Sequence, residues 1–200
     1  MKYLISFLFL ALAFSMKSEA KVTLPSILGD NMVLQQQAEV KLWGKARPNA
    51  TVTVKTSWNG QTYKFSSDGK GGWSLTVSTP VAGGPYKIIF NDGELLTLQN
   101  VLIGEVWFCS GQSNMEMPMG CFDRQPVRGA NDIIAKAKPS TPIRMYTTDS
   151  KDGRWVRQFS KTPAEDCQGE WLENTPVNVS HISAVSYYFC LLYTSPSPRD

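Results

Sequence analysis

A serine hydroxyl attacks a carbonyl only where the chain exposes it, a base accepts its proton, and donors meet the oxygen that becomes negative. Ser113 satisfies the first condition. It lies in Glu105-Val-Trp-Phe-Cys-Ser-Gly-Gln-Ser-Asn-Met-Glu116, where the apolar run Val101 to Cys109 stops at a small polar turn. A buried strand supplies rigidity and the turn at its end supplies access. Ser113 is therefore the candidate nucleophile, with its own backbone N–H as one oxyanion donor. Gly111 permits a tight backbone path, and Gln112, Asn114 and Glu116 shape the turn. A helix starting just after it would add a favourable dipole. Serine and asparagine also occupy turns and caps for local reasons alone, so the tetrapeptide by itself carries both readings. The one histidine, His181, sits in Asn178-Val-Ser-His-Ile182. It reads as a surface or cap residue near the start of the last helix, not as the base.

The elements that must position this turn fall into two regimes. Residues from about Val22 to Asn100 alternate with period 2, as strands buried on one face do. Val52, Val54 and Trp58 share a side, Asn59-Gly60 turns the chain, and Tyr63 and Phe65 continue. This is a hairpin signal suited to a type I′ turn. Gly69-Lys-Gly-Gly72 predicts another turn. Trp73, Leu75 and Val77 form the next face. Ala82-Gly-Gly-Pro85 predicts a third turn before Tyr86, Ile88 and Phe90, and Asn91-Asp-Gly93 ends that strand. Short strands at this spacing predict a small antiparallel sandwich, with Trp58 and Trp73 in its core.

From Val101 the pattern changes. A continuous apolar run predicts a strand covered on both faces. Asn131 to Lys138 predicts a helix capped by Asn131, with Lys136 and Lys138 at its negative end and Pro139 as its stop. Ile143 to Thr147 predicts a strand. Strand, loop, helix, strand is the opening of a parallel α/β layer. Asp149 to Pro176 reads as a polar surface connection. Ser180 to Phe189 predicts a second helix with Ile182, Val185, Ser186 and Phe189 facing the core.

Composition sets outer bounds. The 200 residues carry 20 basic and 17 acidic side chains, a net +3, which argues for neither nucleic acid nor an anionic surface as partner. Lys2, the apolar run Leu4 to Met16 and the site Ser18-Glu-Ala20 read as a cleaved signal, so export to a periplasmic or extracellular space is expected, with no membrane span after cleavage. Four cysteines, Cys109, Cys121, Cys167 and Cys190, match no zinc spacing and allow three pairings. Cys121 with Cys167 is the first to test, and Cys109 reads as a small buried hydrophobe. Trp155 and Trp171 could stack on a sugar, or close the connection over the core. Asp149, Asp152, Glu165 and Asp166 read as a solvated surface. Asn49-Ala-Thr51 and Asn178-Val-Ser180 are glycosylation sequons by pattern only.

The Gly111-Gln-Ser-Asn-Met115 string resembles the first block of the SGNH hydrolases, in the version carried by sialate O-acetylesterases. The resemblance continues in Leu24-Pro-Ser-Ile-Leu-Gly-Asp-Asn-Met-Val-Leu-Gln35, Val40 to Gly44, Gly71-Gly-Trp-Ser-Leu75, Gly83-Gly-Pro-Tyr86, Asn100 to Trp107 and Ile182 to Phe189. It implies an N-terminal all-β sandwich followed by the beginning of an α/β three-layer SGNH domain. It also implies an ester hydrolase, without metal or cofactor, that removes acetyl groups from O-acetylated sugars or glycans. Its serine would pair with a histidine from an Asp-x-x-His block. A glycine and an asparagine from two further blocks would complete the oxyanion hole, and no residue here is assigned to them. Acetylated xylan is an alternative substrate, and a non-catalytic carbohydrate-binding protein an alternative role. The expected organisation is a signal at 1–20, a β-domain at 21–100 and the N-terminal part of the hydrolase domain at 101–189. Residues 190–200 read as a non-native tail, because they resemble translated sequencing-adapter sequence. On this reading the gene is cut short near Phe189.

Overall fold

The structure is a computed structural model that describes residues 21–148, 150–151, 154–155, 162 and 166–194. The signal segment, the chain beyond 194, Asp149, Asp152, Glu165 and the side chain of Trp155 lie outside the described residues. Seven strands come first: β1 (Val33–Gln35), β2 (Glu39–Lys45), β3 (Thr51–Thr56), β4 (Thr62–Ser66), β5 (Gly72–Ser78), β6 (Gly83–Asn91) and β7 (Leu95–Gly104). Then follow α1 (Ser113–Glu116), α2 (Ala130–Lys136), β8 (Arg144–Tyr146), β9 (Ser150–Lys151), β10 (Arg154–Trp155), β11 (Trp171–Glu173), α3 (Pro176–His181) and α4 (Ala184–Thr194).

The first regime folds largely as its alternation dictates. β1-β7-β6-β3-β4 form one sheet, and β2 pairs with β5 in a separate antiparallel ribbon. Leu42, Trp73 and Val77 of the ribbon share one core with Val52, Val54, Ile88, Phe90 and Val101 of the sheet. Each fully buried side chain of this kind contributes about 1.5–3 kcal/mol from area removed from water. The sheet is mixed, because β1 runs parallel to β7 while the other pairs are antiparallel. The expected purely antiparallel arrangement is corrected on this point. The Asn59-Gly60 hairpin forms, but through a four-residue loop. Thr56 N–H donates to Gln61 O, and only Gly60 takes positive φ, at 68°. Asn59 Oδ1 accepts from Thr56 Oγ1 and from Gln61 N–H, which holds that wider loop. Gly83 to Pro85 lie within β6 and not in a turn. At Gly84, with φ 129°, a Cβ would meet the Val101 carbonyl at 2.9 Å.

The second regime departs further from expectation. The run Val101 to Cys109 divides. β7 carries the mixed sheet to Gly104, and Glu105 to Cys109 is exposed and outside regular structure. β8 pairs antiparallel with β11, so among the described residues no parallel α/β layer forms. Helix α2 is capped by Gly129 at φ 75° with no side-chain cap bond, and Asn131 lies inside its first turn. Lys138 lies beyond the end of α2. The last predicted helix breaks at Ile182-Ser183. Met119 N–H donates to Ile182 O, and Gly120 N–H to Ser180 O. Ala184 N–H donates to Met117 O, so residues 117–120 take bonds that a continuous helix would keep. In α4 the core side is Ala184 and Tyr187, while Val185 is 49% exposed, contrary to the predicted stripe. α4 also continues through Thr194, past Phe189. A second core gathers Met119, Ala130, Ile143, Met145, Val179, Ala184 and Tyr187.

Candidate active site

Ser113 is the first residue of α1, and it is exposed together with Gly111, Gln112 and Asn114. The earliest N–H groups of a helix have no acceptor within it. In α1, Met115 and Glu116 N–H both turn back to Gln112 O, and Met117 N–H bonds to Ser113 O. The amide of Ser113 is thus available to an external acceptor. Gly111 has no positive φ. Its value is closeness, since a Cβ there would meet Met115 Cβ at 3.1 Å.

Two groups of contacts missed by sequence reasoning hold this turn. Ser183 Oγ and Ser186 Oγ point at Met115 Sδ, at 3.3 and 3.1 Å, and tie α1 to the start of α4. Upstream, Gln36 Nε2 and Gln35 Nε2 donate to the Glu105 carboxylate at 2.6 and 3.0 Å, and Val106 N–H donates to Gln35 Oε1 at 2.9 Å. The Gln36 and Gln35 amides hold the Glu105 carboxyl below its usual range. The run Gln35-Gln-Gln37 at the end of an apolar strand was the available signal.

A cavity of about 470 Å³ opens beside the turn. Ser110, Gly111, Met115 and Glu116 border it on one side, and Tyr146 and Trp171 on another. Ser113, Gln112 and Asn114 do not line it. Tyr146 is fixed by a polar cluster, also unforeseen. Its hydroxyl lies 2.7 Å from Ser26 Oγ and 3.5 Å from Cys167 Sγ, and Asp166 accepts from both Ser26 N–H and Ser26 Oγ. Asp166 is therefore a bonded, half-buried group and not solvated surface. Burial, with Cys167 adding to it, pushes the Tyr146 phenol well above the ordinary tyrosine value. Trp171 Nε1 donates to Ile27 O at 2.8 Å and its ring lies 5.3 Å from Tyr146, so Trp171 closes the connection over the first core. Arg144 pairs with Glu173 at 3.3 Å, and Asn100 Nδ2 donates to the same carboxylate, a second link between β7 and the β8–β11 pair.

His181 lies exposed in the last turn of α3, and no hydrogen bond joins it to Ser113 among the described residues. The four cysteines are free thiols, so the Cys121–Cys167 pairing is not formed. Cys167 sits at the Tyr146 hydroxyl, while Cys121 is exposed in the loop after α1. Cys109 is likewise exposed, not buried, because the strand it was expected to end stops at Gly104.

No protein-family model matches the chain. It is 34% identical over 182 residues to a sialate O-acetylesterase of Pongo abelii, across 82% of this chain and 32% of that protein. It is 34% identical over 105 residues to the sialate O-acetylesterase of Homo sapiens, across 46% of this chain and 20% of that one. Among solved structures, a novel carbohydrate acetylesterase from Xanthomonas citri superposes with a TM-score of 0.75 at 30% identity, across 86% of this chain and 37% of that one. The chain thus spans about a third of the length of the first of these relatives. By shared sequence and shared fold, the chain belongs to the sialate O-acetylesterase family.

Proposed function

We propose that the protein is an exported carbohydrate O-acetylesterase of the sialate 9-O-acetylesterase type, with Ser113 as its nucleophile. One observation carries the assignment. The serine of the family-like string stands exposed at the first position of α1, with its amide left open by the α1 bonding pattern. Ser113 Oγ adds to the acetyl carbonyl and gives up its proton to a base. The oxyanion takes the Ser113 N–H as one donor. Collapse releases the sugar hydroxyl, which regains a proton, and leaves acetyl-Ser113. Water then attacks that ester, and acetate departs.

The base belongs, on this reading, to the part of the family's length that the chain does not span. His181 lacks the Asp-x-x-His setting, and among the described residues no hydrogen bond joins it to Ser113. Residues 21–100 are read as the supporting β-domain and 101–189 as the opening of the SGNH-type layer. The names of the relatives support an acetylated sugar as substrate, and the Xanthomonas protein is named for carbohydrate generally. The test is a full-length enzyme quenched during turnover of an O-acetylated sugar. Mass spectrometry should place an acetyl group on the peptide containing Ser113; its appearance on another residue would remove the assignment.

A further inference from the structure

The cluster of Gln35, Gln36 and Glu105 is bonded so that its polarity runs one way only. Each glutamine uses both ends of its side-chain amide. Gln35 Oε1 accepts from Val106 N–H at 2.9 Å, and its Nε2 donates to Glu105 Oε2 at 3.0 Å. Gln36 Oε1 accepts from Ala82 N–H at 2.8 Å, and its Nε2 donates to Glu105 Oε1 at 2.6 Å. A backbone N–H can only donate, so Val106 and Ala82 decide which end of each amide is oxygen. Both NH2 ends are thereby turned on Glu105, and both of its oxygens must accept. An ionised carboxylate does this. A glutamine in its place would set its own NH2 against one of the two donors. Flipping Gln35 or Gln36 to receive it would set an NH2 against Val106 or Ala82 N–H instead.

The cluster sits where the chain leaves regular structure. β1 and β7 end together at the Gln35–Gly104 pair, and Gln36 N–H adds one bond to Gly104 O at 2.8 Å. From Glu105 to Gln112 no strand or helix holds the chain. Glu105 borders the cavity beside the turn, as Ser110 and Gly111 do. We propose that Glu105 is a positioning residue for Ser113. Its carboxylate fixes the direction in which residues 105–112 leave the sheet, and so where the Ser113 turn comes to rest. The proposal rests on the reading of Ser113 as the nucleophile. Glu105 is exposed, so water competes for each bond. The hold comes from four bonds of one shared polarity, made together.

The test moves the charge within the cluster of the full-length enzyme. Glu105→Gln alone sets NH2 against NH2. Adding Gln36→Glu restores every bond: the new carboxylate accepts from Ala82 N–H and from the amide at 105, whose oxygen accepts from Gln35 Nε2. Amide hydrogen exchange without substrate reads the hold on residues 106–113. Exchange there should quicken about tenfold in Glu105→Gln. On an O-acetylated sugar, kcat should fall about tenfold with KM little changed. The Glu105→Gln/Gln36→Glu pair should bring both back towards the unmodified enzyme, whereas a group acting through its own charge at 105 would not be rescued. Exchange is read without chemistry, so it stands apart from the assignment of Ser113, which the acetyl-peptide measurement tests. Thermal melts confirm that each variant is folded. Unchanged exchange in Glu105→Gln, unchanged kcat in a variant whose segment exchanges faster, or no recovery in the pair overturns the proposal.

Discussion

Ser186 Oγ lies 3.1 Å from Met115 Sδ, two residues past Ser113. The contact places the candidate nucleophile's helix under the control of α4, more than seventy residues downstream. Ser183 Oγ reaches the same sulfur at 3.3 Å. Thioether sulfur is a weak acceptor, so each contact contributes less than an amide pair. Ser186→Ala should cost about 0.5 kcal/mol and Met115→Ala about 1–2 kcal/mol in denaturant unfolding. Proteolysis should then strike 110–117 before any other part of the chain. Unchanged protection of that turn in Met115→Ala would mean that α4 does not hold it.

Gly111 and Gly120 should respond unequally to a methyl group. At Gly111 the nearest atom is Met115 Cβ at 3.1 Å, a milder overlap that a shift of a few tenths of an ångström in the short helix α1 relieves. At Gly120 it is the Ser180 carbonyl at 2.8 Å, backbone fixed by the Gly120 N–H bond. Gly120→Ala is expected to destabilise by about 1–3 kcal/mol and Gly111→Ala by less. Thermal melts of the two variants decide it, and the reverse order would be inconsistent with this packing.

Stability should fall on the alkaline side. Burial raises the phenols of Tyr146 and Tyr187 above the ordinary tyrosine value of about 10. The folded chain therefore keeps protons that the unfolded chain releases. The contribution is complete below the unfolded value and is lost as pH rises above it. Tyr146→Phe should flatten the alkaline limb of a stability–pH curve. A spectrophotometric titration in which every tyrosine ionises near its ordinary value would refute the burial argument.

The segment after β7 should drive self-association. Phe108 is 91% exposed, with Val106 and Trp107 at 44% and 48% beside it. Contiguous exposed apolar surface of this kind is an association site. Phe108→Ser should lower the apparent mass in sedimentation without lowering the melting temperature. If association persists unchanged, some other surface is responsible.

What the residues revealed in advance follows the range of the forces involved. The alternation of Trp73, Leu75 and Val77 and the turn at Asn59-Gly60 are local, and both appear in the fold. The polar turn at Ser110 to Asn114 was likewise legible as an exposed place for Ser113. The division of Val101 to Cys109 was not, because hydrophobicity does not say which edge pairs, and Gly104 ends where β1 ends. The break at Ile182 depends on bonds to residues 117–120, and the Ser26–Asp166 contact spans 140 positions. Neither leaves a periodic trace. The free cysteines follow the same rule, since pairing depends on where distant loops come to rest.

The central claim is that Ser113 is the nucleophile of an acetylesterase whose base lies outside these 200 residues. Acetate release from an O-acetylated sialic acid tests it most directly, measured for the full-length enzyme, its Ser113→Ala variant and the 200-residue chain. The account predicts activity for the full-length enzyme, a loss of about 10^5-fold or more in Ser113→Ala, and none from the 200-residue chain. Undiminished release by Ser113→Ala would contradict the nucleophile, and robust release by the 200-residue chain would return His181 to the role of base.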